Sequence, residues 1–213
     1  MIKLEFEGQD GSGKSTALKY FAEEARKRGL SVVETREVGN QHIPSCLKMR
    51  EFVLDPKSDL SGISMEFIFS AMRIESDRWL ENLSKSTKRP DLVVSDRGLF
   101  SHYAYTDHNV SEEFVDLFYR GVVDKLTKKP DVVVYFEVST EVALSRRIKR
   151  GEGMDVIEMK GIGYQELVRE SFEKYLKEFE GTLFVVDAND SLEGVKKQLD
   201  LILDQVQESI GKA

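Results

Sequence analysis

A short apolar run at residues 2–6 leads directly into Gly8-Gln9-Asp10-Gly11-Ser12-Gly13-Lys14-Ser15-Thr16, and the stretch that follows, 15–28, has helical spacing. A strand, a glycine-rich turn and a helix in that order leave few folds open. Glycines let such a loop curl until successive backbone N–H groups converge, and the helix behind it aims its positive end at the same point. A concavity of that kind holds anionic oxygens, above all phosphates. Lys14 adds a cation that can follow a moving phosphoryl group, and the Ser15 hydroxyl can take a coordination position on Mg²⁺. The nine residues match the Walker A pattern in full, and they predict a nucleoside triphosphate site.

The rest of the chain repeats the alternation. Apolar runs at 31–35, 92–95, 132–136 and 183–186 read as further strands, and 64–83, 112–126, 141–150, 164–179 and 192–210 read as helices. The prediction is an α/β fold of the P-loop NTPase type, an open parallel five-stranded sheet with helices on both faces. At 213 residues and 40% hydrophobic content, one core and one domain over 1–213 are expected. The segment Arg150-Gly151-Glu152-Gly153-Met154-Asp155 mixes two glycines with charges after a cationic helix. A short lid over 150–161 is expected there, with a plain surface loop as the alternative.

Composition narrows the partners. With 31 basic and 38 acidic residues the formal charge is −7, which carries no footprint for a nucleic-acid polymer. Cys46 stands alone, and His42, His102 and His108 show no metal-ligand spacing with it. No stretch approaches a membrane span, and the opening Met1-Ile2-Lys3-Leu4-Glu5-Phe6 is too short an apolar run for a secretory leader. A cytoplasmic protein with no membrane partner is expected.

A second anchor lies at Leu92-Val93-Val94-Ser95-Asp96-Arg97, where an apolar strand ends in an acid and a guanidinium. Strand ends of such sheets line the ligand crevice. Asp96 is suited to hold Mg²⁺ or its water shell, and Arg97 to clamp a phosphate with two donors. A surface ion pair at a strand end is the bland alternative.

These motifs, taken in order, resemble the thymidylate kinase family along nearly the whole chain. Phe6-Glu7-Gly8-Gln9-Asp10-Gly11-Ser12-Gly13-Lys14-Ser15-Thr16 is similar to the family's loop, including the aspartate inside the cradle. Thr35-Arg36-Glu37 and the later Leu47 to Asp55 segment with Arg50 are similar to its acceptor-side motifs. Phe69-Ser70-Ala71-Met72-Arg73 resembles its base-recognition helix, and Asp96-Arg97 with Ser101, Ala104 and Tyr105 resembles its strand-end motif.

The resemblance implies an ATP-dependent kinase that converts dTMP to dTDP, with Mg²⁺ as cofactor, nucleotides as its partners, and a homodimer as its assembly. It implies that Phe69 stacks on the pyrimidine and that Arg73, one helical turn on, donates to the base's edge. Asp10 would sit where the acceptor sugar and the metal shell meet, and Tyr105 would close the sugar pocket with Ser101 nearby. Arg50 and Arg97, with Arg36, would grip the acceptor phosphate, while Arg146 or Arg150 would lie against adenine or the transferring phosphoryl group. Lys14, Asp10, Arg97 and Arg150 would thus carry the chemistry.

This chain departs from the family at Val38, where a proline is usual, at Val156, where an arginine is usual, and at Gly98 and His102. Among the remaining lid cations, helical spacing puts Arg146, Lys149 and Arg150 on one face and Arg147 about 100° away, so Arg147 is expected to point off the crevice. Kinases for dUMP or a modified pyrimidine nucleotide, a deoxynucleoside kinase, and a nucleotide-binding switch or adaptor are the alternatives.

Overall fold

The computed structural model describes residues 1–106, 108, 110–150 and 161–211, with the side chains of Glu112 and Arg150 set aside. Residues 151–160 of the expected lid over 150–161, including Val156, and the role given to the Arg150 side chain therefore lie outside the described residues.

Five strands form one parallel sheet, β1 (Ile2–Glu7), β2 (Val32–Arg36), β3 (Leu92–Asp96), β4 (Val132–Glu137) and β5 (Thr182–Asp187), in the order β2-β3-β1-β4-β5. The apolar runs fall where their burial requires. The central β1, β3 and β4 are covered on both faces, whereas β2 and β5 form the edges and keep exposed positions. The helices are α1 (Lys14–Lys27), α2 (Pro44–Leu54), α3 (Gly62–Lys85) and α4 (Leu99–Thr106). Next comes α5, which runs from Glu112–Phe114 through a π-helical stretch, Val115–Val123, into Asp124–Leu126. Last are α6 (Thr140–Arg150), α7 (Gly161–Leu176) and α8 (Leu192–Ile210).

Alternation along the strands divides the core. Leu4, Phe6, Val94, Val132 and Val134 point to one face and pack with Phe21 of α1 and Leu199 and Leu203 of α8. Val133 and Tyr135 point to the other face and meet Phe100, Tyr119, Phe172 and Tyr175 of α4, α5 and α7. On that second face β1 is not apolar. Lys3, Glu5 and Glu7 alternate with Leu4 and Phe6 and are buried. Their place is explained by α4. Leu99 N–H donates to Glu5 Oε2 at 2.9 Å, and the N–H groups of Phe100 and Ser101 donate to Glu7 at 3.0 and 3.1 Å. Two carboxylates from β1 thus satisfy the first N–H groups of a helix, where negative charge is stabilised.

Gly98 follows from the same contact, since a Cβ there would lie 2.0 Å from the Glu5 carboxyl carbon. A side chain at this position would have to displace the Glu5 carboxyl from its contact with the Leu99 N–H.

Two helices escaped the sequence reading of periodicity. α2 begins on Pro44 with no capping side chain at its N-cap and buries Cys46 and Val53, and α4 is an eight-residue helix buried on nearly every side, with no polar stripe. The helix expected at 64–83 starts earlier, where the Ser61 hydroxyl accepts the Ser64 N–H and caps Gly62–Lys85.

The loop after β1 touches α6 so closely that the position tolerates only glycine. Gly11 has φ 87°, and a Cβ on it would lie 2.3 Å from the Ala143 carbonyl oxygen. Gly13 has φ 89° with open space around it. Alanine in the left-handed region costs about 1–2 kcal/mol by itself. Gly13→Ala is therefore expected to lower the thermal midpoint by roughly 2–6 °C, and Gly11→Ala by more, because backbone must also move. Calorimetry of the two variants checks this, and equal shifts would contradict the close approach.

Candidate active site

All the chemistry-bearing side chains gather at the carboxyl ends of the strands. The loop from Gly8 to Ser15 leaves β1, Arg36 and Glu37 leave β2, Asp96 and Arg97 end β3, and α6 follows β4. α1 begins at Lys14 with Gly13 as its N-cap, no capping side chain and no acid in its first turn, so its positive end faces the loop's hollow. The loop is braced from outside, with Gln9 Nε2 donating to the Val138 carbonyl at 3.0 Å. Lys14 Nζ lies inside the curl, donating to the Gln9 carbonyl at 2.9 Å and the Ser12 hydroxyl at 3.3 Å. Burial, together with the nearby Arg97, pulls its pKa down to about 8.

Arg97 is the busiest side chain of the site. Its Nη1 donates to the Gly8 carbonyl and to Ser101 Oγ, both at 3.0 Å. Its Nη2 donates to Asp10 Oδ1 and to Tyr105 Oη, the latter at 3.2 Å. Tyr105 in turn donates to Asp10 Oδ2 at 2.9 Å. Burial alone would raise the Asp10 carboxyl, but Arg97 and Lys14 hold it well below the usual carboxylate range. Burial, reinforced by Asp10, keeps the Tyr105 phenol protonated as a donor. Ser15 Oγ donates to Asp96 Oδ2 at 2.5 Å, which sets two hard oxygen ligands side by side at the mouth of the loop. Among the described residues no group of three or more His, Cys, Asp or Glu could hold a metal alone. Two oxygens of this kind fit Mg²⁺, which keeps waters and takes further ligands from phosphates.

Two pockets open from this point and share Asp10, Glu37, Arg50 and Arg97. One is the cradle, lined by Gly11 to Ala17 and by Arg36, Asp96, Arg146 and Arg147. The other is walled by Phe69, His102, Ser101 and Tyr105. Arg36 Nε donates to the Gly39 carbonyl at 3.1 Å and Arg50 Nη1 to the Val38 carbonyl at 2.6 Å, so one turn after β2 orients both guanidinium groups. Phe69 meets the His102 ring edge-on at 6.4 Å.

Gly8, Gln9, Ser12 and Thr16 form or support the cradle, and Arg146 sits at its outer end, donating to the Ala188 carbonyl at 2.8 Å. Arg73 does not line either pocket. It is 1% exposed, with Nη1 on Glu37 Oε2 at 2.6 Å. Glu37 is the pocket-wall residue, and Arg73 fixes it.

The geometry of α6 also differs from the expectation. Arg146 and Arg147 both line the cradle, while Lys149 lies with Glu141, Ile148 and Ile162 in a separate groove. The crevice wraps around the helix, so it admits two neighbouring positions about 100° apart.

Sequence reasoning gave no role to a polar cluster at the far end of the second pocket. Glu66 accepts from Thr106 Oγ1 at 2.7 Å and Tyr119 Oη at 2.5 Å, and Tyr119 Oη lies 2.7 Å from His102 Nε2. Burial opposes charge on Glu66, yet His102 and the two hydroxyls outweigh it and lower its pKa. Only His102, as an unusual neighbour of Ser101, hinted at the cluster. Glu7 was legible only as part of a motif. It accepts the Ser101 hydroxyl proton, so it backs the same serine that Arg97 contacts.

The chain is similar to known proteins over nearly its whole length. The family model described as "Thymidylate kinase" matches residues 6–199. A thymidylate kinase of Ectopseudomonas mendocina is 28% identical over 97% of this chain and 96% of its own length. One from Pseudomonas putida is 30% identical over 96% of each chain, and one from Thermosipho africanus is 28% identical over 95% of this chain and 97% of its own.

Glu7 supplies a pH signature. Burial, and then Glu5 beside it, push its carboxyl up from 4.5 to about 7. The folded state therefore binds this proton more tightly than the unfolded chain, and stability from this group is full below about pH 4.5 and lost as pH rises through 7. Relative to Glu7→Gln, the parent is expected to lose on the order of 3 kcal/mol between pH 4.5 and 7.5. Thermal unfolding of both proteins across that range checks it, and parallel profiles would remove the buried proton.

Proposed function

We propose, for a chain that belongs to the thymidylate kinase family and is accordingly a nucleoside monophosphate kinase, a phosphotransferase, that it transfers the γ-phosphoryl group of ATP to the 5′-phosphate of dTMP. ATP is the donor that the kinase family implies. The observation that carries the reading is the pair of pockets joined at Asp10, Glu37, Arg50 and Arg97. A cradle for a triphosphate on one side and an aromatic-walled pocket on the other suit two nucleotides whose phosphates meet.

In this reading the backbone of Gly8 to Thr16 and the Lys14 ammonium hold the donor phosphates, and Arg146 borders the donor's outer end. Ser15 and Asp96 would hold Mg²⁺, which supplies charge neutralisation across the donor phosphates. Arg97, Arg50 and Arg36 take the acceptor phosphate, Phe69 stacks on its base, and Tyr105, Asp10 and Ser101 border its sugar. Arg73 acts through Glu37. The acceptor's oxygen is already anionic, so positioning and charge compensation carry the rate and no general base is required. Two arginines at the junction favour an acceptor that already bears a phosphate over a free nucleoside.

The same reading takes the chain as one domain over 1–213 with a lid near 150–161, in the cytoplasm, and among the described residues no helix is long and apolar enough to cross a membrane. It also takes a homodimer. In its support, Phe67 of α3 is 52% exposed and packs against Phe118 of α5 with ring centroids 4.6 Å apart and the rings tilted by 57°, and Ile63 and Leu117 are exposed on the same helices. Phe67→Glu is expected to convert a sedimenting dimer to monomer, and a parent that sediments as monomer would end that part of the reading.

The deciding measurement is ADP formation with ATP and Mg²⁺ against a panel of dTMP, dUMP, dCMP and thymidine. The expected result is acceptor-dependent ADP highest with dTMP, and roughly 10²-fold lower turnover for Lys14→Ala. If no monophosphate raised ADP above background, the kinase reading would be withdrawn. A response to thymidine alone would make the protein a nucleoside kinase.

A further inference from the structure

α6 rests directly on the phosphate loop, and that contact selects which of its cations reaches the reacting end of the site. Ala143 is the touching residue, buried, with its carbonyl against Gly11. The residue one turn on along the same helical face is Arg147. Arg147 accordingly lines the cradle and also a small recess that it shares with Asp10, Ala143 and Gln165. Asp10 is the residue at which cradle, recess and acceptor pocket all meet. Arg146, by contrast, is drawn to the opposite end of the cradle, where it binds the Ala188 carbonyl beside Asp190 and Leu192. Lys149 faces the outer groove.

We infer that Arg147 is a catalytic residue of the phosphoryl transfer, placed by the Gly11–Ala143 contact so that its guanidinium follows the γ-phosphoryl group. The inference rests on the kinase reading above. In the step, an oxygen of the acceptor's 5′-phosphate bonds to the γ-phosphorus while the bond from that phosphorus to the β,γ-bridging oxygen breaks. The electron pair leaves on ADP, and no proton changes hands. Charge builds on the departing bridging oxygen and stays spread over the γ-oxygens, and a planar guanidinium can donate two N–H groups to such oxygens where an ammonium offers a point charge. Lys14 approaches from inside the loop and Arg97 from the acceptor side, so Arg147 supplies the cation from the α6 side.

The test compares Arg147→Ala, Arg147→Lys and, as a control outside the pocket, Lys149→Ala. Single-turnover phosphoryl transfer is measured at saturating ATP and dTMP. Affinity for ADP alone, and for ADP with aluminium fluoride and dTMP as a mimic of the transferring state, is measured by calorimetry. Arg147→Ala is expected to slow the single-turnover step at least about tenfold and to weaken the mimic complex by a similar factor. ADP affinity should stay within about threefold, which also shows that the variant is folded. Arg147→Lys should fall between parent and alanine, and Lys149→Ala should match the parent. A single-turnover rate within threefold of the parent would overturn the inference, as would a loss equal for ADP and for the mimic, since that would make Arg147 a donor-holding residue. A parent that forms no ADP with any monophosphate sinks the kinase reading instead, and the two failures are therefore distinguishable.

Discussion

The site depends on one largely buried guanidinium. Arg97 stands at the end of β3 with φ 70°, and its donors reach the Gly8 carbonyl, the Ser101 hydroxyl, the Asp10 carboxylate and the Tyr105 hydroxyl. Those partners come from the loop after β1 and from two turns of α4, so one side chain ties three segments together. Its charge is compensated by Asp10, and each charge would be costly without the other, on the order of several kcal/mol in a water-poor setting. The same arrangement keeps Asp10 ionised and Tyr105 protonated, which gives the junction of the two pockets a defined pattern of donors and acceptors.

Behind Arg97 lies a second tier that ordinary core logic would not supply. β1 carries Glu5 and Glu7 into the interior, and these acids cap α4 from the side of the sheet. Buried carboxyl groups are tolerated when their oxygens are met, and here helix N–H groups and the Ser101 hydroxyl meet Glu7, while Glu5 has the Leu99 N–H on Oε2 and Lys3 Nζ 3.1 Å from Oε1. Ser101 thereby accepts from Arg97 while donating to Glu7. Rigidity of the aromatic-walled pocket follows, because α4 also bears His102, Tyr105 and Thr106, three of the pocket's wall residues. Glu37 is held comparably by Arg73 from α3. Pocket walls in this protein are fixed by polar contacts from behind, so what faces a ligand is set by residues that do not touch it.

Close backbone approaches do the remaining positioning. A side chain at position 98 would meet the Glu5 carboxyl, and one at position 11 would meet the Ala143 backbone. The first approach brings α4 down onto β1, and the second brings α6 down onto the phosphate loop. Two helices from different parts of the chain are thus set by such contacts, α4 against β1 and α6 against the loop that leads into Lys14.

How much of this was legible in the sequence can be judged residue by residue. The five strands, the parallel α/β architecture and the loop from Gly8 to Thr16 were determined by the sequence alone, because apolar runs of strand length and a glycine-rich turn before a helix are local patterns with few physical solutions. Asp96 beside Ser15 was likewise readable, since both sit at strand or helix ends whose position the pattern fixes. Periodicity missed α4 because a helix buried all round has no polar stripe, whereas α2, which opens on proline with no capping side chain, was legible only through the resemblance of the Leu47 to Asp55 segment. Helical spacing put Arg73 on the face of Phe69 but gives direction and not depth, and its burial against Glu37, 36 residues away, was not legible. The Glu66, Tyr119 and His102 cluster joins three helices, and no local pattern encodes such a meeting. Arg147 was turned away by helical spacing alone, and only the tertiary contact of Ala143 with Gly11 decided that the crevice extends to its side of the helix. Local periodicity specifies which way a side chain leaves its own element, and what stands in that direction is decided by the packing of elements distant in the chain.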